Sequence, residues 1–410
     1  KLVSKVLMFL AASKNGLTED ELLDLLVMDS EYLQFLEKHH KIPIQKLPVA
    51  LWSRLYMDLK PYLITRSADG LELYDFYHQA FKKVVAERYF TNPNNLANIR
   101  STMVKYYAKQ NWFITKCETT IYGRLKNVRK TSELVFQLFQ SKEYDILCDL
   151  FCDLNFIEAK CVAQGVDELL GDFELLKSQP LSAKNSDRLN QFYQFTVKES
   201  NTLRRYPELT LQQAINQHSS KLVLNDGLEK IKKLKRNISV FTINQSQLKP
   251  SPVKWQFSSN GSMAKYSLSP NNTTIAAIST SGNLILIDAL SGRILQSEVV
   301  GAPNLNDCCF CGDGTKIFVL EGNYNVHIYS NSLKRIENKT LNHFADSISV
   351  NHNGTMIAAW SGTDLSLLKE NGESVKFTGH FKKINQVKFS SNGTRLLSVS
   401  NDYTICEWGI

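Results

Sequence analysis

In the C-terminal part of this 410-residue chain a turn signal returns at nearly constant spacing. Asn271-Asn272-Thr273, Asp313-Gly314-Thr315, Asn353-Gly354-Thr355 and Asn392-Gly393-Thr394 have middle residues 42, 40 and 39 positions apart. Each follows an alternating segment such as Asn385-Gln386-Val387-Lys388-Phe389-Ser390. Two further short apolar stretches come after it, as in Thr274-Ile275-Ala276-Ala277-Ile278 and Leu284-Ile285-Leu286-Ile287. A period of about 40 residues with several short strands per unit predicts a β-propeller. About four blades are countable, and open edge strands are sticky, so blades are expected to continue beyond Ile410.

The remainder of the chain has a different character. Residues 1–245 contain six glycines and residues 246–410 thirteen. The first part shows long helical periodicities, and Lys249-Pro250-Ser251-Pro252 forms a proline-rich joint at the change. The formal net charge of +8 is uneven, with 34 basic and 28 acidic side chains before residue 246 and 14 and 12 after it. Five of the positive charges fall within Lys230–Arg236, which reads as a solvated helix face or linker and not as a nucleic-acid surface. The longest apolar run, Val6 to Ala12, is far below the roughly 20 residues that span a bilayer. With no charged-then-apolar leader visible, the expectation is a cytoplasmic location and no membrane contact.

Residues 1–92 have the order of a winged helix. Val3, Val6, Leu7 and Leu10 form an apolar stripe, with Gly16 expected as the C-cap. Thr18-Glu19-Asp20-Glu21 is a capping box opening a second helix, and a third covers Pro48 to Asp58. Tyr62–Arg66 and Leu71–Tyr74 flank Ser67-Ala68-Asp69-Gly70, a hairpin turn that would form the wing. DNA readout is not expected, because the candidate recognition helix offers little beyond Arg54 and Lys60 and the wing tip carries an acid.

No constellation for chemistry emerges from the cysteines. Cys148 and Cys152 lie one helical turn apart among leucines and phenylalanines, as core residues do. Cys117, Cys161, Cys308, Cys309, Cys311 and Cys406 have no second pair or histidines at ligand spacing, so no metal is expected and reduced thiols are. The Asn-x-Ser/Thr sites at Asn260, Asn272, Asn353 and Asn392 fall where turns want asparagine anyway.

The last repeat resembles the WD-repeat family through Gly379-His380, Ser398, the Ser400-Asn401-Asp402-Tyr403-Thr404-Ile405 turn and Trp408. That resemblance implies a buried structural network of Trp408, Ser398, His380 and Asp402 within one blade, not a hydrolase triad. The other repeats depart from the pattern, since Ile287-Asp288 and Ile328-Tyr329 stand where Trp-Asp would, and Gly409 replaces the aspartate even in the best one. Three N-terminal segments resemble the winged-helix domain of signal-transducing nucleotide-switch ATPases, the NACHT and apoptotic-ATPase group. They are Gly16–Leu26, Ser67–Leu73 and the Phe76-Tyr77-His78 helix start. Asp149–Cys161 and Arg205–Asn216 resemble the helical arm of members that carry WD repeats.

Taken together these features predict a multidomain chain: a winged helix at 1–92, a helical arm at 93–245, and incomplete WD-repeat propeller blades at 246–410. The resemblance implies a non-catalytic regulatory and protein-interaction segment of a nucleotide-regulated sensor or scaffold, with protein partners bound at the propeller. The alternative is a purely structural assembly component without nucleotide switching. In the family a winged-helix histidine contacts the diphosphate of ADP, and His78 matches it, while a capping histidine is the plain alternative. No Gly-x-x-x-x-Gly-Lys-Ser/Thr loop occurs in the sequence, so ATP or ADP would come through an ATPase module expected upstream of Lys1. Oligomerisation stays open.

Overall fold

The computed structural model describes residues 2–29, 32, 34, 49–115, 124–217, 220–234, 240, 254–257, 262–301 and 304–410. The proline joint at 249–252, Cys117, Asn260 and the Lys235–Arg236 end of the basic run lie outside the described residues. Contacts divide the chain into two compact units, residues 1–196 with 202–250 and residues 251–410 with 197–201. No helix among the described residues is long and apolar enough to cross a membrane.

In the first unit, helix α1 (Leu2–Ala12) buries Val6, Phe9 and Leu10, while Val3 is 45% exposed and leaves the stripe. Helix α2 (Glu19–Met28) opens on the capping box, with Thr18 accepting from the Glu21 amide and the Glu21 carboxylate accepting from the Thr18 amide. Helix α3 (Val49–Leu59) precedes strands β1 (Leu63–Ala68) and β2 (Leu71–Phe76), which pair antiparallel as the wing. Asp69 and Gly70 both have positive φ (54° and 75°), the two-residue turn that matches strand twist. Helix α4 (Gln79–Tyr89) follows.

Gly16 does not cap α1, which ends four residues earlier. It has φ 97°, and an added Cβ would lie 2.4 Å from the Tyr74 carbonyl oxygen. Glycine is needed there because Leu17 and Tyr74 exchange two backbone hydrogen bonds, of 3.0 and 2.8 Å, that stitch the wing to the α2 entry.

The arm begins with α5 (Pro93–Lys109), a short pair β3 (Phe113–Thr115) and β4 (Arg124–Lys126), and a π-helix at Lys130–Leu134 running into α6 (Val135–Gln140). Helices α7 (Tyr144–Phe151), α8 (Leu154–Gln164) and α9 (Val166–Lys177) then pack around Phe151, Phe156 and Phe173, all 0% exposed, with ring centroids 5.1 and 4.9 Å apart. Cys148 and Cys152 are buried and free among them. Further along lie α10 (Ala183–Lys198), α11 (Ser200–Arg205), α12 (Thr210–Ile215) and α13 (Lys221–Leu234). Within the basic run Lys230 is bound to Asp226 at 2.7 Å and Asp153 at 2.9 Å, while Lys232 and Lys233 on the same helix are exposed, as a solvated face would be.

The second unit is a four-blade propeller arrangement. Its sheets are β5 (Met263–Leu268) to β8 (Ile294–Val299), β9 (Leu305–Phe310) to β12 (Arg335–Thr340), β13 (Ser347–Val350) to β16 (Ser374–Phe377), and the three-stranded β17 (Ile384–Phe389) to β19 (Ile405–Gly409). Every described strand pairs antiparallel with its sequence neighbour in the sheet.

The recurring turn signal has one local cause. In each turn the threonine hydroxyl donates to the Asn or Asp side chain two residues before it, at 2.8, 2.8, 2.7 and 2.9 Å. The residue between them, Asn272, Gly314, Gly354 or Gly393, has φ between 59° and 74°. An Asx turn thus fixes the corner from the first strand to the second in each blade. The blades then stack face to face through apolar clusters. Ile278, Leu284 and Leu286 meet Ile317, Val319 and Tyr329, and Phe318, Leu320 and Ile328 meet Ile348, Ile357 and Ala359. Ala358, Leu365 and Leu367 meet Val387 and Leu396 in turn. The far face of the first sheet is covered by Trp255 and Phe257, with Trp255 Nε1 donating to the Ala289 carbonyl at 3.2 Å.

Candidate functional site

In the last blade the structure brings Trp408, Ser398, His380 and Asp402 into one chain of hydrogen bonds. Trp408 Nε1 donates to Ser398 Oγ at 2.8 Å, Ser398 Oγ lies 2.7 Å from His380 Nε2, and His380 Nδ1 lies 2.8 Å from Asp402 Oδ2. A single tautomer satisfies all three: Ser398 donates to Nε2, and Nδ1–H donates to Asp402. The Asp402 carboxyl is held well below the usual carboxylate range, first by the Thr404 hydroxyl, with the Phe381 amide and His380 adding to it. Ser398 is 0% exposed and its hydroxyl is engaged by both Trp408 and His380. Ser398→Ala leaves the half-buried Trp408 indole N–H and the His380 Nε2 without their shared partner. A loss of about 1–3 kcal/mol in the unfolding free energy of the chain is expected, read by urea denaturation.

His78 is the N-cap of α4, exposed, with Nδ1 accepting from the Ala80 amide at 3.1 Å. The ring hydrogen therefore sits on Nε2, where it can donate outward. The capping bond occupies one ring nitrogen at the positive end of the helix, as a capping histidine does.

A larger polar constellation, which the sequence did not reveal, joins the winged helix to the arm. Arg129, just before the π-helix, reaches back into the winged-helix fold and is 4% exposed. Its Nε donates to Glu21 Oε1 at 2.9 Å and its Nη1 to Asp69 Oδ2 at 2.8 Å. Its Nη2 is shared between the Gly16 carbonyl at 3.0 Å, Glu21 Oε2 and the Tyr107 hydroxyl, both at 3.1 Å. Tyr107 in turn donates to Glu21 Oε1 at 2.9 Å. The acid of the wing tip thus meets an arginine of the same chain. Two more bonds cross nearby, from the Lys14 amide to Glu133 at 3.0 Å and from Gln137 Nε2 to the Ala12 carbonyl at 2.7 Å. Burial pushes the Glu133 carboxyl up, with Arg129 opposing.

Lys130, beside it, is buried, lies 3.8 Å from the centre of the Trp112 ring, and donates to the carbonyls of Ala108 and Gln110. Burial pulls its ammonium down to about 8, against the pull of Asp153. Below pH 8 both folded and unfolded chains hold this proton. Between about 8 and the ordinary lysine value of 10.5 only the unfolded chain does, so stability rises with pH in that window. Wild type minus Lys130→Met in unfolding free energy is therefore expected to increase from pH 7.5 to 10.5, as followed by urea denaturation. A flat difference would assign the lysine an ordinary proton affinity.

Among the described residues no cluster of three or more histidine, cysteine, aspartate or glutamate side chains could hold a metal ion.

Two family models match the chain. Residues 1–97 match one described as the NWD1-like winged helix-turn-helix domain, and residues 100–233 match the APAF-1 helical domain. Among curated proteins, NACHT domain- and WD repeat-containing protein 1 of Homo sapiens is 29% identical over 198 residues, covering 42% of this chain and 13% of that protein. Its counterpart in Mus musculus is 28% identical over 199 residues with the same coverage. The chain therefore matches about an eighth of the length of these relatives, and the two family models cover its winged helix and its helical domain.

Proposed function

We propose that this chain is a regulatory and partner-binding portion of a nucleotide-regulated sensor or scaffold. In this reading a protein partner docks on the loop-rich faces of the propeller. The helical arm carries its effect, and the winged helix meets a nucleotide-holding module of the same protein. Binding at the blades then biases a closed-open equilibrium by its differential affinity for the two states. The chain itself supplies no catalytic step, and its surroundings are cytoplasmic.

The observation that carries the proposal is the Arg129 joint. A guanidinium bonded to Glu21, Asp69 and Gly16 on one side and to Tyr107 on the other makes the winged helix and the start of the arm move as one lever. Motion of the arm then reaches His78, an exposed side chain whose Nδ1 caps the helix and whose Nε2 donates to a diphosphate in this reading.

The test is titration of ADP into the full-length protein. His78→Ala is expected to weaken ADP affinity about tenfold or more, the loss of one hydrogen bond to a charged group. Unchanged affinity would leave His78 as a helix cap. No ADP binding at all would favour the alternative, a structural assembly component in which the same joint only holds shape.

A further inference from the structure

The joint contains an irregularity that a purely static lock does not need. Between Arg129 and α6 the helix runs as a π-helix, Lys130–Leu134, with more residues per turn than the α form. The segment is buried throughout and holds Glu133 at 0% exposure. It also leaves two buried polar atoms, Ser132 Oγ and Gln137 Oε1, without a hydrogen-bond partner. A wide helical turn, a sunken carboxylate and two orphaned oxygens within nine residues cost free energy where the winged helix meets the arm. Costs of this kind cluster at active sites, ligand clamps and switch regions, where the strain is part of the mechanism.

We propose that this segment is a two-register device. Conversion of 130–134 from π to α geometry shifts the chain before it by one residue and carries Lys130 into the place of Arg129. In the first register the guanidinium fork holds Glu21 and Asp69 together. In the second a single ammonium faces them. It cannot bond both acids, the Gly16 carbonyl and the Tyr107 hydroxyl at once, so the winged helix is released from the arm. Lys130 is already buried at the joint with its ammonium on two backbone carbonyls, so the exchange brings in no new charge from solvent. The two registers belong to the joint alone and do not depend on nucleotide being the signal.

Two variants of the whole chain test this. Deleting Ser132 removes the residue that the α form has no room for. It is expected to slow hydrogen exchange of the amides in 130–140 about tenfold, because the register shift is the opening motion. Equal or faster exchange in a folded deletion variant would overturn the proposal. The second variant exchanges the two cations, Arg129→Lys with Lys130→Arg, and places the guanidinium where the shifted register would use it. It is expected to recover at least half of the urea midpoint lost by Arg129→Lys alone. No recovery means that Lys130 does not reach the acid pocket, and the idea fails whether or not the deletion folds.

Discussion

Arg129→Met is expected to destabilise the chain by about 3–5 kcal/mol, the cost of breaking a buried ion cluster by removing one partner. The magnitude follows from what remains. Glu21 and Asp69 keep their burial and lose their shared cation, and the Tyr107 hydroxyl and the Gly16 carbonyl lose a donor. Arg129→Lys should recover little, because one ammonium cannot supply the forked set of donors that these four groups take from the guanidinium. Urea denaturation with far-ultraviolet dichroism measures the loss. A change within about 0.5 kcal/mol would mean that the cluster is no more than a surface ion pair in effect.

Phe318→Ala is the second large effect, at about 3–5 kcal/mol. The ring is 0% exposed and fills the interface between the second and third blades, among Leu320, Ile328, Ile348 and Ile357. Each blade is a sheet too small to bury its own faces, so a void between two of them weakens the stack as well as the sheet. Ile336→Ser, on the outer strand β12 and 53% exposed, is the control and should stay within about 0.5 kcal/mol. A small effect at Phe318 would mean that the blades hold together by strand pairing and not by their faces.

What the sequence made legible was local. The blade turns could be read because the Asn or Asp oxygen, the positive-φ residue and the threonine hydroxyl lie within three consecutive positions. The capping box at Thr18 is equally short-range. In the last blade, the candidate polar residues could be picked out from a family pattern, although 18 and 22 positions separate His380 from Ser398 and Asp402. The Arg129 joint had no such signature. Its partners stand 108, 60, 113 and 22 positions away, and only Glu133, four residues on, lies close in sequence. Gly16 was misread for the same reason: its glycine requirement comes from Tyr74, 58 positions ahead, and not from the helix before it. Trp255, on the first sheet's far face, sits just past a proline-rich stretch that reads as a joint.

Arg129 couples the winged helix to the arm through its bonds to Glu21, Asp69 and Tyr107. A double-mutant cycle between Arg129→Met and Glu21→Gln, measured as unfolding free energies, tests it most directly. An interaction energy of at least about 1.5 kcal/mol is expected, because Glu21→Gln removes the buried charge that loss of the guanidinium would otherwise leave without its cation. Additivity of the two single variants within about 0.5 kcal/mol would contradict it.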